Sequence, residues 1–111
     1  RMKWEMRELS FDTPKALFEA GVKFCIQTDA LGQSIAFLPL CAAMAAKHGL
    51  PIDEALKAIT IYPAEILGVE GRVGSIEEGK DADLRLLSGD PLDVMTKCQK
   101  VIINGEVVHS L

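Results

Sequence analysis

At 111 residues, 49% hydrophobic and 25% charged, the chain is long enough for one small core and has the make-up of an ordinary globular protein, not of a disordered or fibrous one. Its net charge of −4, with no basic block of five or more, gives nucleic acid and anionic membrane surfaces no electrostatic support as partners and leaves a small molecule or a protein. No apolar run approaches the roughly 20 residues of a membrane helix, and "RMKWEMRELS" mixes its charges unlike a signal peptide, so the sequence predicts a cytoplasmic chain.

The chain opens on Arg1 in a polar, unpatterned stretch with no cap, as expected of a segment of a longer polypeptide. "SFDTPKALFEAG" then signals a short helix over residues 14–20, with Thr13 as N-cap, Pro14 in the first turn and Gly21 just past the end. "VKFCIQ" carries Val22, Phe24, Cys25 and Ile26 with only Lys23 and Gln27 polar, the pattern of a parallel strand covered on both faces. It runs into Asp29 and a small-residue loop, "DALGQ". An acid there has two readings: a turn or cap residue, or a functional group at the carboxyl end of a strand, where parallel α/β proteins place their sites.

"PLCAAMAAKHG" is the strongest helix signal, from Pro39 through alanines and Met44 to Lys47, His48 and Gly49. "IDEALKAI" follows, its Ile52, Ala55, Leu56 and Ile59 forming one apolar stripe. "PAEIL", opened by Pro63 and closed by Gly68, makes a third short helix in this run. From residue 69 the texture changes to short β-type runs, "RVGSI", "DLRLL", "KVII" and "EVVH", the last two joined by Asn104-Gly105, a type I′ hairpin signal.

One buried parallel strand needs parallel neighbours that this sequence does not supply, and four short strands make at most a marginal sheet. Both units are therefore expected to be completed by other strands. Cys25, Cys41 and Cys98 are widely spaced in apolar surroundings without metal-ligand spacing, and read as buried reduced thiols. His48 suits a helix C-terminus, and His109 follows a strand near the chain end. Asp81 and Asp83 in "GKDADL" read as turn formers, and no P-loop, GxGxxG, GxSxG or HExxH occurs.

Taken together, "GVKFCIQTDA", the run "ALKAITIYPAEILGVEGRVGSIEEGKDADLRLLSGDPLD" and "KVIINGEVV" resemble the C-terminal end of the amidohydrolase superfamily, in its imidazolonepropionase-like branch; "ELSFDTPKALFEAG" is similar to the same branch. The resemblance implies a metal-dependent (β/α)8 barrel with a small β-sandwich built from both chain ends. On it, "KFCIQTD" is barrel strand eight, residues 1–68 close the barrel and residues 69–111 form the C-terminal part of the sandwich; alone, the chain would be α+β.

Carried over by position, Asp29 matches the aspartate that ends strand eight, a ligand of a divalent metal, expected to be zinc, and the acceptor of a proton from the water that attacks the scissile C–N carbonyl. A cation lowers that water's pKa to about 7, and a neighbouring carboxylate completes its deprotonation. The family's other ligands, a His-x-His pair, a lysine or acid, and two further histidines, lie on earlier strands, so the chain alone is expected to be neither metallated nor active. Gln33 and Ser34 are the substrate-contact candidates, with an ordinary loop role as the alternative. The implied partners are a small amide, cyclic amide or dipeptide and either the rest of the barrel or a second copy; the competing reading is a non-catalytic α+β assembly module. Two departures stand out: Tyr62 where the family commonly has an N-capping Asn, and Arg85 where an apolar residue is usual, which suggests an edge strand or one facing a partner.

Overall fold

The computed structural model describes residues 10–29 and 32–111, and among them four short helices lead into a three-stranded antiparallel sheet. Helix α1 spans Thr13–Glu19 with Asp12 as its N-cap residue, one position before the expected Thr13. The turn is fastened by Asp12 itself, whose backbone N–H donates to Ser10 Oγ at 3.1 Å. A 3-10 stretch, Gly32–Phe37, runs directly into α2 (Leu38–Lys47), and α3 (Ile52–Lys57) follows from Pro51 as N-cap.

Helix α4 is Ile61–Leu67, two residues longer at its start than the expected "PAEIL". Pro63 is then the third helical residue, which costs nothing because the first four N–H groups of a helix have no intrahelical acceptor. The helix ends on Gly68, whose φ of 72° is the left-handed turn that glycine adopts without a Cβ clash. That turn brings the Val69 N–H onto the Ala64 carbonyl at 2.9 Å.

The core is made almost wholly of alanine. Ala42 and Ala45 of α2, Leu50, and Ala55 of α3 form one cluster, against which Phe24, Ile26, Ile59 and Leu92 pack. The stripe expected on α3 is rotated: Ala55 and Ala58 are buried while Ile52 is 63% exposed, because α2 and α3 meet through their small residues. Large apolar side chains such as Leu67, Ile76, Val94 and Met95 lie exposed, and surface of that kind and amount marks an interface rather than a free face.

Strands β1 (Leu84–Leu87), β2 (Cys98–Ile103) and β3 (Glu106–Ser110) pair antiparallel in that order, with Arg85 opposite Val101 and Ile102 opposite Val107. Arg85 thus sits on an edge strand of this sheet. The hairpin falls on Asn104 and Gly105, with φ of 50° and 80° as a type I′ turn requires. Its tip is pinned by Asp83, whose Oδ1 accepts the Asn104 N–H at 2.9 Å, while Arg72 holds Asp81 at 2.6 Å.

"RVGSI" is not a strand. Arg72 and Val73 turn back onto the Val69 carbonyl, and Gly74, at φ 96°, lies so close to α4 that a Cβ there would meet Ala64 Cβ at 2.8 Å and Ile61 Cα at 3.0 Å. Residues 22–28 also carry no ladder in this chain, since a strand exists only with a neighbour to pair with. For the same reason the thiols are less buried than expected: Cys25 is exposed, and Cys41 and Cys98 are half-buried, all three free.

Candidate active site at Asp29

The segment leading to Asp29 lies on the helical layer by one side only. Phe24, Ile26 and Thr28 are half-buried, with Phe24 and Ile26 on the core, whereas Cys25, Gln27 and Asp29 are exposed. This period-two alternation is that of an extended chain covered on one face. Midway, the Ile26 N–H donates to the Ala58 carbonyl at 2.9 Å, tying the segment to the end of α3.

Its start is held by a polar network that sequence reading missed. Lys23 pairs with Glu65 of α4 and sits 5.5 Å above the Tyr62 ring. The Tyr62 hydroxyl donates to Glu54 Oε2 at 2.6 Å, and Lys57 donates to Glu54 Oε1 at 2.8 Å. Tyr62 therefore does not cap α4; it bolts α4 to α3. No local spacing signals such a contact, because it joins two helices.

The hydrogen bonds from Lys57 and then Tyr62 hold the Glu54 carboxyl below its ordinary pKa, and the bond to Glu54 followed by burial pushes the Tyr62 phenol up. The signs give two windows. Glu54 contributes stability above its ordinary pKa, lost as pH falls through the depressed value; Tyr62 contributes below its ordinary pKa, lost as pH rises through the raised value. Thermal melts across pH should therefore show Tyr62→Phe losing about 1–3 kcal/mol near neutrality, with the deficit shrinking at both extremes. A deficit that is constant with pH would contradict the network.

Asp29 is solvent-exposed, makes no side-chain hydrogen bond among the described residues, and has a φ of 48°. Non-glycine residues in that left-handed region cost on the order of 1 kcal/mol and cluster where function demands them; Asp and Asn tolerate it best. Gln33 and Ser34 fall in the 3-10 stretch that begins three residues on, and their side chains lie outside the described residues. His48 caps α2, its Nδ1 3.2 Å from Asp12 Oδ1 and its ring stacked on Phe11, and His109 lies opposite Val101 in the sheet.

Among the described residues no three His, Cys, Asp or Glu side chains gather to hold a metal ion. Zinc takes three or four protein ligands, so the described residues do not make a complete zinc site.

The amidohydrolase family model matches residues 7–108, nearly the whole chain. The chain belongs to the amidohydrolase family. This amidohydrolase segment superposes on an amidohydrolase from Thermotoga maritima MSB8 with a TM-score of 0.94 and 38% identity, over 100% of this chain and 29% of that one. A prolidase solved with N-methylphosphonate-L-proline matches at a TM-score of 0.80 and 29% identity, over 96% of this chain and 28% of that one. Imidazolonepropionase of Acidiphilium cryptum (strain JF-5) is 38% identical over 91 residues, covering 79% of this chain and 23% of that protein. The amidohydrolase segment spans less than a third of the length of each of these proteins. Its fold is a mixed α/β piece of a (β/α)8-barrel amidohydrolase with a three-stranded sheet attached, which accounts for the missing strand neighbours and the uncovered apolar side chains.

Proposed function

We propose that this chain is part of a metal-dependent hydrolase that cleaves an amide or cyclic amide C–N bond, with Asp29 as the group it contributes to the reaction. The observation that carries the reading is Asp29 itself: an exposed carboxylate, without a hydrogen bond among the described residues, in a left-handed conformation at the end of a segment whose other face is packed on helices. A bound divalent cation, zinc in this reading, would make water acidic enough to attack at neutral pH. Asp29 would serve as one of its ligands and take the water's proton on its carboxylate, at hydrogen-bond reach. Gln33 and Ser34, in the turn that follows, are the proposed substrate contacts.

Residues 1–68 are proposed to complete the barrel and residues 69–111 the accessory sheet, in a cytoplasmic enzyme whose remaining barrel covers the apolar faces seen here. A dipeptide is the second substrate reading, favoured by the match to a prolidase. Chelation tests the proposal. Full-length protein dialysed against a metal chelator should lose hydrolysis of N-acyl and dipeptide amides and regain it on adding zinc; full activity in demonstrably metal-free protein would overturn it.

A further inference from the structure

The alternation before Asp29 identifies a second polar side chain on the same face. Cys25, Gln27 and Asp29 are exposed while Phe24, Ile26 and Thr28 turn to the helices. Barrel helices wrap the outside, so the face turned away from them is the barrel interior, which is filled with side chains and is not an open pore. In the closed barrel Gln27, exposed in this chain alone, would stand one layer beneath Asp29 in a packed, water-poor space.

A buried amide must be hydrogen-bonded, at a cost of about 1–3 kcal/mol if it is not. Residues two apart on one face of an extended chain are separated by about 6.6 Å, and a glutamine side chain reaching toward a carboxylate covers most of that span. Gln27 makes no side-chain hydrogen bond among the described residues, and neither does Asp29. We propose that Gln27 is a positioning residue whose side-chain N–H donates to the Asp29 carboxylate inside the closed barrel, fixing the orientation in which Asp29 meets the metal. This rests on the reading of Asp29 as a metal ligand. Residues that hydrogen-bond metal-ligating carboxylates affect metal affinity by about 10–100-fold.

The test uses the full-length, metal-loaded protein and reads metal release into excess chelator alongside kinetics. Gln27→Met, of similar length but without a donor, should release metal at least about tenfold faster and lower kcat with KM nearly unchanged. Gln27→Ser, which leaves room for a bridging water, should fall between it and the parent, and serves if Gln27→Met does not fold. Parent-like metal release and kcat in both variants would overturn the proposal. Cys25 reports the orientation: its thiol should resist a small thiol reagent in the native protein and react after denaturation, and equal rates in the two states would also overturn it. Asp29→Asn separates the two ideas. If it keeps metal and activity, the metal-site reading fails whatever Gln27 does; if it loses both while Gln27→Met is unaffected, only the positioning role fails.

Discussion

Replacing Asp29 by Ala in the full-length protein should lower kcat by roughly a hundred- to ten-thousandfold, the usual range for loss of a group that moves a proton in the transition state. The fold should survive. The Asp29 side chain ties together none of the described elements, so its removal leaves at most the Gln27 amide without a partner, at about 1–3 kcal/mol. The residual cost is conformational: alanine tolerates a φ of 48° less well than aspartate, by on the order of 1 kcal/mol. Hydrolysis rates with thermal melts of the same preparation check both halves. Turnover within a few-fold of the parent would remove Asp29 from the chemistry, and a melt lowered by tens of degrees would make it a structural residue.

Gly74→Ala is expected to be the most damaging small change to stability. A methyl there would lie 2.8 Å from Ala64 Cβ, 3.0 Å from Ile61 Cα and 3.1 Å from the Thr60 carbonyl oxygen. Two of those atoms are main chain at the start of α4, so no rotamer change relieves the clash. The φ of 96° adds backbone strain. Overpacking and strain together should cost about 2–5 kcal/mol, a large part of the 5–15 kcal/mol that holds a typical domain folded. Denaturant midpoints of the full-length protein give the measurement. Gly71→Ala, where an added Cβ meets nothing within 4 Å, is the control and should shift the midpoint little. Equal midpoints for the two variants would mean that the approach of residue 74 to α4 is not a feature of the protein in solution.

What was legible in the sequence was what neighbouring residues decide among themselves. The alanine run of α2, the glycine stop after α4 and the Asn104-Gly105 turn stand where local chemistry put them. What failed depended on contacts from afar. "RVGSI" has strand composition, but the approach of Gly74 to α4 bends it into turns. Tyr62 looked like a missing cap and is instead a bolt to Glu54, eight residues away on another helix. The segment before Asp29 has the sequence of a strand and the alternation of one, yet it has no ladder, because pairing is a property of two segments. Asp29 itself was undecided by spacing alone. The proposal that it is a metal ligand came from resemblance, and the exposed, left-handed geometry is compatible with it.

The alanines where α2 and α3 meet have a consequence for how this protein can change. Helices that touch through methyl groups leave no slack between their backbones. Such a junction has little volume to lose and no room to gain, so substitution by Val or Leu at Ala42 or Ala55, conservative in hydrophobicity, would pry the helices apart. The usual hierarchy of core mutations is inverted here: growth is the lesion and trimming the lesser harm. At these two positions glycine, alanine and serine are the side chains small enough to leave the helices where they are, so added stability has to be sought on the other faces of α2 and α3.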